Sequence, residues 1–226
     1  MILNPYLEFG NKTYIMGIIN VTPDSFSGDG LLGKQDTIRA ALEQAEAFVE
    51  HGAEILDIGG ESTRPGAQPV SAAQEMDRVI PVIEALASSG LNTLISVDTY
   101  KADVARAALH AGANWLNDIW GLRADAEMAP LAATSGAPVV IMHNRLKPAT
   151  PELQQRLGGH YVGVQYENLI QDIQLELGQS IALAHAAGVA DRQIILDPGI
   201  GFGKTVEQNL ELVDRLAEIK ALGYPL

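Results

Sequence analysis

One pattern recurs six times along the chain and limits the folds open to it. A short apolar run ends in a polar residue. A loop follows, then an Ala- and Leu-rich segment of helical periodicity, then a glycine. The apolar runs are YIMGIIN (14–20), EILDIGGES (54–62), TLISVD (93–98), NWLND (114–118), PVVIMH (138–143) and QIILD (193–197). The helical segments are 35–51, 71–89, 101–111, 125–135, 163–187 and 206–222. The glycines behind them are Gly52, Gly90, Gly112, Gly136, Gly188 and Gly223; glycine ends helices because it takes the left-handed conformation without a Cβ clash. Ser71 and Gln74 form the signature of a capping box at the start of the second helix. The runs show no apolar–polar alternation, which predicts strands buried on both faces, as in a parallel sheet within a shell of helices.

Strands alternating with helices leave two architectures, a closed (β/α)8 barrel or an open doubly wound sheet. Periodicity does not choose between them. It does give six complete βα units in one domain, 1–226, with Gly223–Leu226 as the beginning of a seventh strand. A complete barrel takes about 250 residues, so on the barrel alternative the last two βα units are missing.

Composition narrows the function. The chain has 226 residues, 47% of them hydrophobic, but no apolar run long enough to span a membrane. The first residues, MILNPYLEFG, lack the basic and apolar regions of a secretory signal. There is no cysteine, which excludes disulfides and thiolate chemistry and suits the cytoplasm and an oxidising compartment alike. A net charge of −13 makes nucleic acid and anionic membrane poor partners. A small anionic substrate remains open, given a local positive group.

Catalytic groups of parallel α/β folds sit at the C-terminal ends of strands. Those ends carry Asn20, Glu61 through Arg64, Asp98, Asn117 with Asp118, Met142 with His143, and Asp197. Any one of them could simply cap a helix or turn; polar groups at so many strand ends point instead to a site. Two strand-end loops stand out. NVTPDSFSGDG (20–30) is polar and Gly-rich around Phe26, suited to closing over a ligand. GGESTRPG (59–66) offers hydroxyls and Arg64, suited to an anion. The segment DPGIGFGKT (197–205) is not a P-loop, because Pro198 stands where the motif needs its first glycine. It reads as a tight turn setting Asp197 and Phe202 at a pocket wall. The histidines show no zinc-binding spacing. His51, His110 and His185 fall late in helices, where an imidazole caps carbonyls; His143 follows a strand and stays ambiguous.

Taken together, N-V-T-P-D-S-F-S (20–27), E-S-T-R-P-G (61–66), S-V-D-T (96–99), N-D-I (117–119), M-H-N-R (142–145) and D-P-G-I-G-F-G-K-T (197–205) resemble the dihydropteroate synthase family, in the family's order. The resemblance implies a TIM-type (β/α)8 barrel, incomplete here. It implies transfer of a dihydropterin from its pyrophosphate to p-aminobenzoate, in folate biosynthesis. Asp98, Asn117 and Asp197 match pterin-binding positions, with Met142 lining the same pocket. Asn20 matches the position associated with Mg²⁺ and pyrophosphate. Thr63 and Arg64 match the second loop; Phe26, Thr63, Pro65 and Phe202 match the p-aminobenzoate side. Asp98, Asp197 and Arg64 are the candidate catalytic residues. The family pattern also carries Lys, Arg and His segments on later strands, and late helices that form a homodimer interface. Neither is found here, so the 226-residue chain alone is expected to be poorly stable and essentially inactive.

The chemistry of the residues agrees with these roles. A pterin presents a fixed row of ring donors and acceptors, and carboxylates and a carboxamide on rigid strand ends can pair with it. Departure of pyrophosphate leaves positive charge on the pterin methylene, which ionised Asp98 and Asp197 stabilise. Mg²⁺ keeps several waters and takes few protein ligands. Two other readings compete: a methyltetrahydrofolate–corrinoid methyltransferase, which does not need the two loops, and an inactive pterin-binding fragment.

Overall fold

The computed structural model describes residues 4–22, 34–62, 69–146 and 165–226. The chain falls into two compact units, Met1–Asn117 and Asp118–Leu226.

The first unit contains β1 (Met16–Asn20), α1 (Lys34–Glu50), β2 (Ile55–Gly59), α2 (Ala72–Ser88), β3 (Leu94–Asp98) and α3 (Ala102–Ala111), and its boundary falls before the last residue of β4 (Trp115–Asp118). Its strands are parallel and pair in chain order. Register places Asn20 opposite Gly59, Gly59 opposite Asp98, and Asp98 opposite Asn117. β2 is buried along its whole length, as its apolar run predicts. Full burial of Ile58, Val97 and Leu116 contributes about 1.5–3 kcal/mol each. α2 turns Val79, Val82, Ile83 and Leu86 inward, and the capping box at Ser71 and Gln74 is formed.

β1 departs from the expected burial on both faces. Its helix side is covered so tightly that a Cβ on Gly17 would stand 2.5 Å from the Phe48 ring of α1. The opposite side carries Ile18, which is 58% exposed. The N-terminal segment serves the same side of β4, where Trp115 Nε1 donates to the Pro5 carbonyl at 2.7 Å.

The second unit holds α4 (Met128–Ser135), β5 (Val139–Met142), α5 (Leu169–Ala186), a 3-10 turn (Asp191–Gln193), β6 (Ile194–Asp197), α6 (Val206–Asp214) and α7 (Leu216–Lys220). β5 and β6 are parallel, with Met142 opposite Asp197. Leu196 N donates to the Pro225 carbonyl at 2.8 Å, so the tail runs beside β6 as the beginning of a further strand should. The helix expected from 163 starts at 169 because Asn168 caps it, accepting from Gln171 N at 3.2 Å. The helix expected over 206–222 is interrupted at Arg215. All six glycines that follow the helical segments lie at positive φ, between 72° and 116°.

Candidate functional site

In the first unit the strand ends form a row. Asn20, Gly59, Asp98 and Asn117 stand at one level of four adjacent strands. Gly59 leaves a notch in that row. A Cβ there would lie 3.4 Å from Asn20 Oδ1 and 3.5 Å from Asp98 Oδ2, so both side chains face the space that the glycine leaves.

Asn117 is oriented from below. Its Nδ2 donates to Asp57 Oδ2 at 2.8 Å. An ionised carboxylate only accepts, so Asp57 fixes the amide's direction and turns Oδ1 the other way. That oxygen is buried and has no hydrogen-bond partner among the described residues. A buried acceptor left so is costly, about 1–3 kcal/mol, and a ligand N–H would satisfy it. Sequence reasoning missed Asp57. Its signal is a carboxylate inside an apolar strand, between Leu56 and Ile58, and buried with them.

Asn117's neighbour Asp118 does something else. Its carboxylate is fully buried and accepts from Trp120 N at 2.8 Å and Leu122 N at 2.9 Å. It braces the turn in which Leu122 takes φ 66°, the structural role open to any strand-end Asp. Burial pushes its pKa up to about 6, against the pull of those two N–H groups.

At the root of the second loop, Lys101 pairs with both Glu61 and Glu75, and Tyr100 OH donates to Glu61 at 3.2 Å. Burial pushes Glu75 up, and Lys101 pulls it back. Phe26, Thr63, Arg64 and Pro65 lie outside the described residues.

Asn20 is exposed and offers a neutral oxygen. Among the described residues no group of three or more His, Cys, Asp or Glu side chains is arranged to hold a metal. A fully caged ion does not fit such donors. A Mg²⁺ that kept most of its waters would need few protein ligands, and the Asn20 amide oxygen could serve as one.

In the second unit, buried Met142 stands opposite Asp197. Asp197 Oδ1 accepts from Gly199 N at 2.7 Å, and its carbonyl accepts from His143 N at 2.9 Å. Burial pushes the Asp197 carboxyl up, while Gly199 N–H and the Lys204 charge draw it down. Phe202 is half-buried in the same turn. Lys204, whose ammonium donates to the Gly199 and Phe202 carbonyls, is committed to the turn, which agrees with rejecting a P-loop. His143 and Arg145 point at Glu176 on α5. Of the helix-end histidines, His51 bonds the Ala47 carbonyl at 2.6 Å, whereas His185 bonds Asp191 at 2.8 Å.

Residues 16–226 match the pterin binding enzyme family, so the chain belongs to that family. Within it, the chain is similar to dihydropteroate synthases, which are transferases. It is 48% identical to the dihydropteroate synthase of Clostridium beijerinckii, over 97% of this chain and 74% of the relative. It is 49% identical to that of Bacillus subtilis, over 97% of this chain and 70% of the relative. A dihydropteroate synthase from Clostridium difficile, solved in the presence of pteroic acid, superposes at a TM-score of 0.85 with 45% identity, covering 97% of this chain and 76% of the other. The Xanthomonas albilineans enzyme in complex with 7,8-dihydropteroate gives 0.78 with 37% identity, covering 95% and 71%. The likeness shows a shared fold, and with it the TIM-type α/β class that the resemblance implied.

Proposed function

We propose that the chain serves the reaction that joins 6-hydroxymethyl-7,8-dihydropterin pyrophosphate to p-aminobenzoate, giving 7,8-dihydropteroate and pyrophosphate in folate biosynthesis. The observation that carries this reading is the buried Oδ1 of Asn117, aimed by Asp57 and level with Asp98 on the neighbouring strand. That acceptor beside a carboxylate suits the donor edge of a pterin. The family resemblance adds Asp197 as a further carboxylate for the ring and Met142 as a lining residue. As the bond from the pterin methylene to oxygen breaks, its electrons leave with pyrophosphate, and Asp98 and Asp197 stabilise the cationic methylene. The p-aminobenzoate nitrogen forms the new bond after or during this cleavage and loses a proton; the family resemblance assigns Phe26, Thr63, Pro65 and Phe202 to its side and Arg64 to the second loop. Mg²⁺, when bound near Asn20, supplies charge neutralisation for the departing pyrophosphate.

No described helix is long and apolar enough to cross a membrane. The family resemblance supports a cytoplasmic enzyme, and a homodimer for the full-length family. The test is calorimetric titration of the chain with pterin-6-carboxylate. Binding is expected, and Asn117→Ala and Asp98→Ala should weaken it by about tenfold or more, the scale of one lost buried hydrogen bond. A chain that binds no pterin, or variants that bind it unchanged, would sink the reading. Binding of p-aminobenzoate only after pyrophosphate and Mg²⁺ are added separates a synthase from a pterin-dependent methyltransferase.

A further inference from the structure

The turn 197–204 lies with its backbone pressed on the backbone that leaves β5. A Cβ on Gly199 would stand 1.8 Å from the His143 carbonyl oxygen, and one on Gly203 2.5 Å from the Arg145 carbonyl carbon. Lys204 closes the turn. Its Nζ donates to Gly199 O at 2.6 Å, to Phe202 O at 3.1 Å and to His143 Nδ1 at 3.1 Å. Those three bonds use every ammonium hydrogen. His143 Nδ1 is therefore an acceptor, and the ring's proton sits on Nε2, which donates to Glu176 Oε2 at 3.0 Å. Glu176 Oε1 accepts from Arg145 Nε at 2.9 Å. The Arg145 guanidinium stacks 4.0 Å from the Tyr166 ring centre, and Tyr166 OH donates to Gly203 O at 3.1 Å. The path of contacts leaves the turn at Lys204 and re-enters it at Gly203.

We propose that Lys204 is the positioning residue for Asp197 and Phe202: anchored by His143 and Glu176, its ammonium sets the shape of the turn that presents both side chains to the substrates. This rests on the pterin-binding reading above. With its donors spent inside the protein, Lys204 serves the site without touching ligand. A buried ammonium is expensive unless fully bonded, and here two of the three bonds are to the turn itself and the third ties it to His143. The charged and titratable groups facing it are Asp197 on its own turn, His143 and Arg145 at the end of β5, and Glu176 on α5. Its charge also draws the Asp197 carboxyl down.

The test compares Lys204→Met and Lys204→Arg in the full chain. Hydrogen–deuterium exchange over 197–203 should quicken in the Met variant while 94–117 stays unchanged. Pterin-6-carboxylate should bind about tenfold more weakly, as for loss of a supporting hydrogen-bond partner. The acid limb of binding should move to higher pH, because Asp197 loses its neighbouring positive charge. The Arg variant, which keeps the charge, should return that limb to its original place. If the Met variant does not fold, Glu176→Gln decides, since one amide oxygen cannot serve both His143 and Arg145; faster 197–203 exchange is expected there too. A folded variant with unchanged exchange and unchanged pterin affinity overturns the proposal alone. An unsubstituted chain that binds no pterin overturns the functional reading, and the proposal with it.

Discussion

Asn117 and Asp118 show how adjacent residues divide labour when a strand sends successive side chains to opposite faces. Asn117 points to the face with Asp57 and Asp98; Asp118 points away and holds a turn. Replacing Asp57 with Asn sets an amide donor beside the acceptor, so the carboxylate that dictates how Asn117 sits is gone. Pterin affinity is expected to fall about five- to fiftyfold, in line with one misdirected buried hydrogen bond, with little change in the melting temperature; calorimetry beside a thermal melt checks both. Asp118 makes a pH prediction. Its native pKa of about 6 lies above the ordinary 3.8, so between those values the folded chain holds more protons than the unfolded one. The Asp118 contribution to stability therefore declines as pH rises through that window. Urea unfolding of the native chain and an Asp118→Asn variant should show the gap between them narrowing from about pH 4 to about pH 6.5. The strand-end residues were legible from sequence because a polar group closing an apolar run is a local signal. Asp57 was not, since it lies inside the run and its partner is 60 positions away.

At the scale of elements, helix ends were the most legible feature. Each glycine behind a helical segment takes the left-handed turn it signalled, because the cause is the absence of a Cβ and nothing distant alters it. The break at Arg215 carries no proline or glycine to announce it. Two glycines of similar backbone conformation separate local strain from packing. Gly90 has φ 81° and open space around a notional Cβ, whereas Gly199 has φ 71° and a carbonyl oxygen at 1.8 Å. Gly90→Ala should therefore cost about 1–2 kcal/mol, the left-handed penalty alone. Gly199→Ala should cost clearly more and also weaken pterin binding, since the Asp197 turn must move off β5. Denaturant midpoints for the two variants give the comparison.

For the whole molecule, the sequence pattern went as far as six parallel βα units and stopped. Whether such a sheet closes depends on strand tilt and stagger, which no short window of residues records; motifs matching a known family were needed to choose the barrel. The global charge is easier to read. At −13 the chain should show no binding to duplex DNA in fluorescence anisotropy at about 0.15 M salt, where only short-range attraction survives screening. A measurable affinity there would mean that a local basic surface overrides the net field.

The bare position at the end of β2 carries a consequence of its own. With the neighbours 3.4 and 3.5 Å from a notional Cβ, an alanine at 59 meets ordinary contact distances. Gly59→Ala should therefore fold and melt normally, yet its methyl group would stand as a permanent tenant between Asn20 and Asp98. Such a variant separates vacancy from architecture: the same scaffold, with one doorway bricked up.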